Sequence, residues 1–199
     1  PNAYLSAEDL LAAGGLDAVS ICSPNAFHAG QTIAALNSGL HVLCEKPMAT
    51  SVPDAEKMIA TAKKTGKILM IGMTNRFRPD TNVLKKYADD GLFGDIYYSK
   101  AGWLRRSGIP GYGSWFTTKA QSGGGCLLDI GVHYLDLAMW VAGFPKPVSV
   151  TGTTFAEFGP RGLASIVLGL VYLEEEKHLP GEQITRLAVM ATVLLSIFA

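Results

Sequence analysis

His41-Val42-Leu43-Cys44-Glu45-Lys46-Pro47 decides how the first half of this 199-residue chain is read. The apolar run Leu40–Cys44 has the length and content of a buried strand, and it stops abruptly at two charges and a proline. In open α/β sheets, ligands bind outside the carboxyl ends of the strands. Glu45 and Lys46 therefore stand where such a sheet would present chemistry, with Pro47 fixing the backbone behind them. Taken alone, Glu-Lys-Pro also suits an ordinary surface turn.

The flanking sequence supplies the rest of the sheet. Asp17–Ser23 reads as a short strand, and Ala26–Ser38 has helical periodicity that ends at Gly39. Ser51-Val52-Pro53-Asp54 is a helix start, with a capping serine and an acid three residues on, and that helix runs to Gly66. Ile68–Met73 is the next strand. Strands alternating with helices predict a parallel sheet covered by helices. Beyond Asn75-Arg76-Phe77 the texture changes. Pro79–Asp90 reads as a helix closed by Gly91, Asp95–Gly102 as a strand, and Trp103–Ser122 as a loop. A helix follows to about Ala142, then a strand over Val148–Phe155.

The helix near Ala142 is entered through Ser122-Gly123-Gly124-Gly125-Cys126-Leu127-Leu128-Asp129-Ile130-Gly131-Val132-His133-Tyr134-Leu135-Asp136. In a regular α-helix, Asp129 and His133 lie at i and i+4 on one face, and Asp136 shares that face. A carboxylate beside an imidazole is equipment for proton transfer, because the negative charge orients the ring and favours its protonated form. The same residues also suit a helix cap and a satisfied structural histidine.

Together these stretches resemble the glucose–fructose oxidoreductase/inositol dehydrogenase family, Gfo/Idh/MocA. The residues that carry the resemblance are Asp17-Ala18-Val19-Ser20-Ile21-Cys22-Ser23-Pro24-Asn25-Ala26-Phe27-His28, Glu45-Lys46-Pro47, Asn75-Arg76-Phe77, and the glycine run with Asp129 and His133. They appear in family order between about Tyr4 and Gly162. The resemblance implies an α/β fold: a partial Rossmann-type parallel sheet, followed by a partial α+β substrate domain with a mostly antiparallel sheet. The corresponding division is 1–77 for the carboxyl-terminal portion of the nucleotide-binding domain, 78–162 for the substrate domain, and 163–199 for a tail without a family motif. Residues 1–16 hold only Gly14-Gly15, not the Gly-x-Gly-x-x-Gly turn that cradles a pyrophosphate, and the acid that binds the adenosine ribose is missing. By analogy, about the first third of the nucleotide-binding domain is not in this sequence.

The resemblance also implies an activity: hydride transfer between NAD or NADP and a sugar or cyclic polyol. Lys46, Asp129 and His133 are the implied catalytic residues. Lys46 would hydrogen-bond the substrate hydroxyl and stabilise developing alkoxide charge. His133 would take the hydroxyl proton, with Asp129 positioning it or touching a neighbouring hydroxyl. Implied cofactor contacts are Ser23, Pro24, Asn25, His28, Glu45, Lys46, Pro47, Asn75 and Arg76, with Glu45 expected to orient Lys46. Alternatives stay open at several of these. His28 also suits a core or solvent-facing position, Arg76 a capping or interface role, and Asp136 a structural carboxylate. Trp103, Arg105, Arg106, Tyr112, Trp115 and Phe116 crowd one loop. Arg105 and Trp115 join Asp129 and His133 as substrate-binding candidates, since aromatic faces and guanidinium forks suit sugar rings, though loop packing explains such residues equally. The competing reading of the whole chain is a non-catalytic remnant that binds sugar or another subunit.

Composition narrows the classes. Hydrophobic residues make up 48% of the chain, enough for a substantial core, and 17 basic side chains balance 17 acidic ones. That balance offers no electrostatic case for nucleic acid or an anionic membrane. Cys22, Cys44 and Cys126 read as reduced, core-packing thiols of a cytoplasmic protein, and no cluster has metal-ligand spacing. The apolar segment 187–199 is shorter than the roughly twenty residues a spanning helix needs, so it reads as a buried or partner-facing helix. The family implies a homo-oligomer.

Overall fold

The computed structural model describes residues 2–103, 111–154 and 166–173. Its elements are α1 (Ala7–Ala13), β1 (Ala18–Ile21), α2 (His28–Asn37), β2 (His41–Cys44), α3 (Val52–Thr65), β3 (Leu69–Ile71), α4 (Pro79–Asp89), α5 (Lys119–Ser122), α6 (Val132–Val141), β4 (Pro147–Thr154) and β5 (Ile166–Leu173). The described residues fall into two compact units. One holds the chain up to Gly72 and the segment 111–129; the other holds Met73 to Trp103 and the described residues from Ile130 onward.

The first unit is built on a parallel sheet in the order β1-β2-β3, with Val19 opposite Val42 and Val42 opposite Leu69. Alternation along the strands sends Ile21, Val42 and Cys44 to one face. There they meet Ala35 and Leu36 of α2 and Met58 of α3 in a single buried cluster. Leu36 and Met58 are completely buried, and each contributes about 1.5–3 kcal/mol of hydrophobic stabilisation. The other face carries Leu43 and Met70, adjacent in register and each 43% exposed. Parallel sheets are usually covered on both faces; among the described residues, α2 and α3 cover one.

Helix ends follow local chemistry. Ser51 caps α3 by accepting from the Asp54 N–H, and Gly66 ends it in the left-handed conformation that only glycine adopts without strain. Helix α1, for which the sequence reading had no element, starts on Ser6, whose hydroxyl accepts from the Asp9 N–H. That serine was the available signal.

In the second unit, α4 and α6 are in contact, and Lys85 of α4 lies over the Trp140 ring of α6 at 5.8 Å. Strands β4 and β5 form an antiparallel pair with an irregularity near Val150. The apolar run 166–173, read from sequence as part of a tail without a motif, is thus a strand. Asp95–Gly102 is not one. A strand exists only through a ladder partner. Among the described residues β4 pairs with β5, and nothing pairs with 95–102. The expected loop 103–122 contains a 3-10 turn at Trp115–Thr117 and the short helix α5.

No helix among the described residues is long and apolar enough to cross a membrane. The core position of Met58 has a measurable consequence. Met58→Ala should lower the unfolding free energy by about 2–5 kcal/mol in urea denaturation. Ile59→Ala, one residue on and 44% exposed, should stay within about 1 kcal/mol.

Candidate active site

The carboxyl ends of β1, β2 and β3 open onto one rim of the sheet. Hydrogen bonds carry the ladder past the strands themselves: Glu45 N–H donates to Ile21 O (2.9 Å) and Gly72 N–H to Cys44 O (2.8 Å). This continuation holds Glu45 and Lys46 at a fixed height above the sheet. Gly72 is buried, and a Cβ there would lie 3.3 Å from Glu45 Oε2, so glycine makes room for the carboxylate. Glu45 Oε2 in turn accepts from the Lys46 backbone N–H at 3.3 Å. Glu45 therefore steadies the backbone of Lys46.

The Lys46 ammonium has a different partner. Nζ donates to the backbone O of Asp129 at 2.5 Å and to its Oδ1 at 2.8 Å. The two side chains are 16% and 34% exposed, sheltered enough for the pair to hold a defined geometry. An ammonium has three N–H donors. Asp129 takes two, and the third has no partner among the described residues.

Two further contacts bring the 111–129 segment onto the same rim, and a third ties that segment to itself. Asn25, in the 3-10 turn Asn25–Phe27 after β1, donates from Nδ2 to Ser122 O at 2.8 Å and is buried. Ser122 Oγ donates to Gly124 O at 2.9 Å. Gly123, at φ 79°, passes so close to Thr50 that a Cβ would lie 2.5 Å from its methyl carbon. The glycine run is thus needed for a left-handed turn and for close passage of one segment past another. Sequence reasoning missed Ser122 and Thr50; the only available signal was the glycine run itself.

His28 is fully buried at the start of α2. Its Nδ1 lies 2.7 Å from Pro47 O and its Nε2 2.9 Å from Ser23 O, so the ring ties the loop after β1 to the loop that carries Lys46. Of the two positions left open for it, the structure gives the core one. Ser23 Oγ donates to Gln31 Oε1 at 2.6 Å. Pro24 opens the 3-10 turn, and the Lys46–Pro47 bond is cis. Trp115 stacks on Phe116 with centroids 3.9 Å apart, while Tyr112 is exposed.

Asp129 itself lies in a π-helical turn, Leu127–Gly131, and the α-helical repeat starts only at Val132. The regular spacing assumed for Asp129 and His133 therefore does not hold across 129–133.

In the second unit, His133 and Asp136 sit on α6, and Asn75 and Arg76 in the 3-10 turn Thr74–Phe77. Thr81 Oγ1 donates to Asn75 O. Arg76 gives its guanidinium to Asp136, with Nε donating to Oδ2 at 2.8 Å and Nη2 to Oδ1. Trp103 packs beside Tyr134 at 6.0 Å. Arg105 and Arg106 lie outside the described residues. Among the described residues, no three His, Cys, Asp or Glu side chains cluster in a way that would hold a metal.

A helix-backed parallel sheet with charged residues at its carboxyl rim defines a nucleotide-binding class of fold, and the comparisons with known proteins agree. Residues 1–73 match the oxidoreductase family with an NAD-binding Rossmann fold, and residues 81–177 match the GFO/IDH/MocA C-terminal domain. The chain belongs to the Gfo/Idh/MocA family. Over 145 residues it is 47% identical to D-glucoside 3-dehydrogenase of Escherichia coli (strain K12), an alignment covering 73% of this chain and 41% of the relative. It is 33% identical to scyllo-inositol 2-dehydrogenase (NADP(+)) of Bacillus subtilis (strain 168), covering 84% and 51%. Among solved structures, aldose-aldose oxidoreductase from Caulobacter crescentus complexed with glycerol is 29% identical. It superposes with a TM-score of 0.74 over 96% of this chain and 54% of its own. The WlbA dehydrogenase from Bordetella pertussis, in complex with NADH and UDP-GlcNAcA, is 26% identical, with a TM-score of 0.79 over 98% and 53%. The chain thus spans about half the length of the relatives it matches.

The thiols near the rim give a chemical test of the packing. Burial pushes the Cys44 thiol up to about 11 and also raises that of Cys126, whereas Cys22, expected in the core, is exposed just beyond the end of β1. Since the thiolate is the nucleophile, alkylation at pH 8 followed by peptide mapping should label Cys22 first. Cys44 should react only after unfolding.

Proposed function

We propose that this chain forms the nicotinamide-side part of a dehydrogenase that transfers hydride between NAD or NADP and a secondary hydroxyl of a sugar or cyclic polyol. The observation that carries this reading is the Lys46 ammonium, held at the carboxyl rim of the sheet by Asp129, with a third N–H that has no partner among the described residues. The residues present fit the nicotinamide end of the cofactor. The turn Ser23–Asn25, His28 beneath it, and Glu45–Pro47 line adjacent strand ends, where such folds bind dinucleotides. When bound, the cofactor supplies the hydride acceptor or donor.

The chain's own residues then have distinct tasks. The third N–H of Lys46 donates to the reacting oxygen of the substrate and stabilises negative charge there as the C–H bond breaks. Asp129 keeps that ammonium aimed. His133 takes the hydroxyl proton during oxidation and returns it during reduction. Trp115, with its stacked neighbour Phe116, offers an apolar face to a sugar ring. Arg105 is assigned to the substrate with it. A cytoplasmic homo-oligomer that binds neither nucleic acid nor membrane completes the proposal. Family membership, and relatives described as acting on glucosides and inositols, support this substrate class.

Titration of the folded chain with NADH, followed by nicotinamide fluorescence, tests the reading directly. Saturable binding that Lys46→Met weakens supports it. A folded, monodisperse sample that binds no NADH overturns it in favour of a remnant that binds only sugar or another subunit. In turnover assays across sugars and inositols, His133→Ala should lower kcat by roughly a hundredfold or more.

A further inference from the structure

Arg76 and Asp136 are separated by 60 residues, yet they form a two-pronged ion pair with side chains 32% and 10% exposed. The guanidinium also lies over the Phe144 ring, 5.0 Å from its centroid. Phe144 is itself fixed. It adopts a left-handed backbone (φ 55°) just beyond α6, and its N–H donates to Met139 O at 2.7 Å. Arg76 is therefore held between a carboxylate in the middle of α6 and an aromatic face at the helix's far end. The Asp136 hydrogen bonds raise the affinity of the guanidinium for its proton still further.

The beginning of α6 is packed on one side, where Tyr134 lies beside Trp103 at 6.0 Å. No side chain caps it, and it follows the π-helical turn instead of continuing a regular helix. A bidentate guanidinium–carboxylate pair constrains a plane as well as a distance. A rotation of about 100°, one residue's worth, would carry Asp136 out of reach. His133 precedes Asp136 by three residues on the same helix, so whatever fixes Asp136 fixes the direction in which the His133 Cα–Cβ bond leaves the helix.

We infer that Arg76 is a positioning residue: through Asp136 and against Phe144 it sets the rotation of α6, and with it the orientation of the His133 imidazole. The role rests on the reading of His133 as the proton-transfer group. It departs from the expectation that Arg76 contacts the cofactor, because the guanidinium is already engaged by Asp136 and Phe144.

The test uses the full chain labelled with 15N-histidine, with the His133 ring signals assigned by comparison with His133→Gln. Arg76→Ala should move the His133 ring resonances and leave those of His28 and His41 in place. Millimolar guanidinium ion should bring them back, and methylammonium at the same concentration should not, since only the planar fork reproduces the pair. Asp136→Asn, which keeps the side-chain shape, should show the same displacement without guanidinium rescue, and it carries the test if Arg76→Ala fails to fold. Unchanged His133 signals in a folded variant overturn the inference. In turnover assays, Arg76→Ala should lower kcat roughly ten- to hundredfold with cofactor KM unchanged. A rise in cofactor KM at constant kcat would overturn the inference and return Arg76 to the cofactor. The ring spectra need no bound cofactor, so a failure of the proposed dehydrogenase activity would show separately.

Discussion

Everything at the rim of the sheet depends on placing an ammonium where the strands end and keeping it there. A lysine side chain is long and flexible, and left to itself Lys46 would sample many directions. Asp129 removes that freedom by accepting two hydrogen bonds from one nitrogen, one at its carboxylate and one at its backbone carbonyl. Delivering Asp129 requires the 111–129 segment to lie against the loops after β1 and β2. The Asn25–Ser122 bond and the close passage of Gly123 past Thr50 make that possible. His28 connects the same two loops from below. The charged pair is the visible product of a set of neutral contacts that leave it little room to move.

The second unit solves a similar problem differently. Its guanidinium–carboxylate pair has no glycine run to bring it together. It relies on a short 3-10 turn, a helix and one left-handed residue, Phe144. Arginine suits this position because its planar fork matches a carboxylate and its face stacks on an aromatic ring. Lysine suits the first unit, where a point donor with three N–H groups is useful. The two cations are not interchangeable, and each sits where its own geometry is used.

Much of the first unit could be read along the chain. The strand ending at Cys44, the helix between Ser51 and Gly66, and the turn of charges at Glu45-Lys46 all follow from local sterics, capping and hydrophobic period. Where the reading failed, a local pattern had been given a non-local meaning. Asp95–Gly102 has strand-like residues but no partner ladder among the described residues. Asp129 and His133 have α-helical spacing, but a π turn intervenes. Ser122 and Thr50 carry no distinguishing chemistry, and their importance comes only from what they touch.

The sequence by itself determined the parallel sheet, the family, and the residue types available for chemistry, because periodicity, caps and glycines act through neighbours a few residues away. Tertiary structure alone decided the pairings. Lys46 meets Asp129 across 83 residues and Arg76 meets Asp136 across 60. No local preference selects one carboxylate over another at such separations. The choice is made when packed elements close the intervening loops, and the cost of that closure depends on the whole fold.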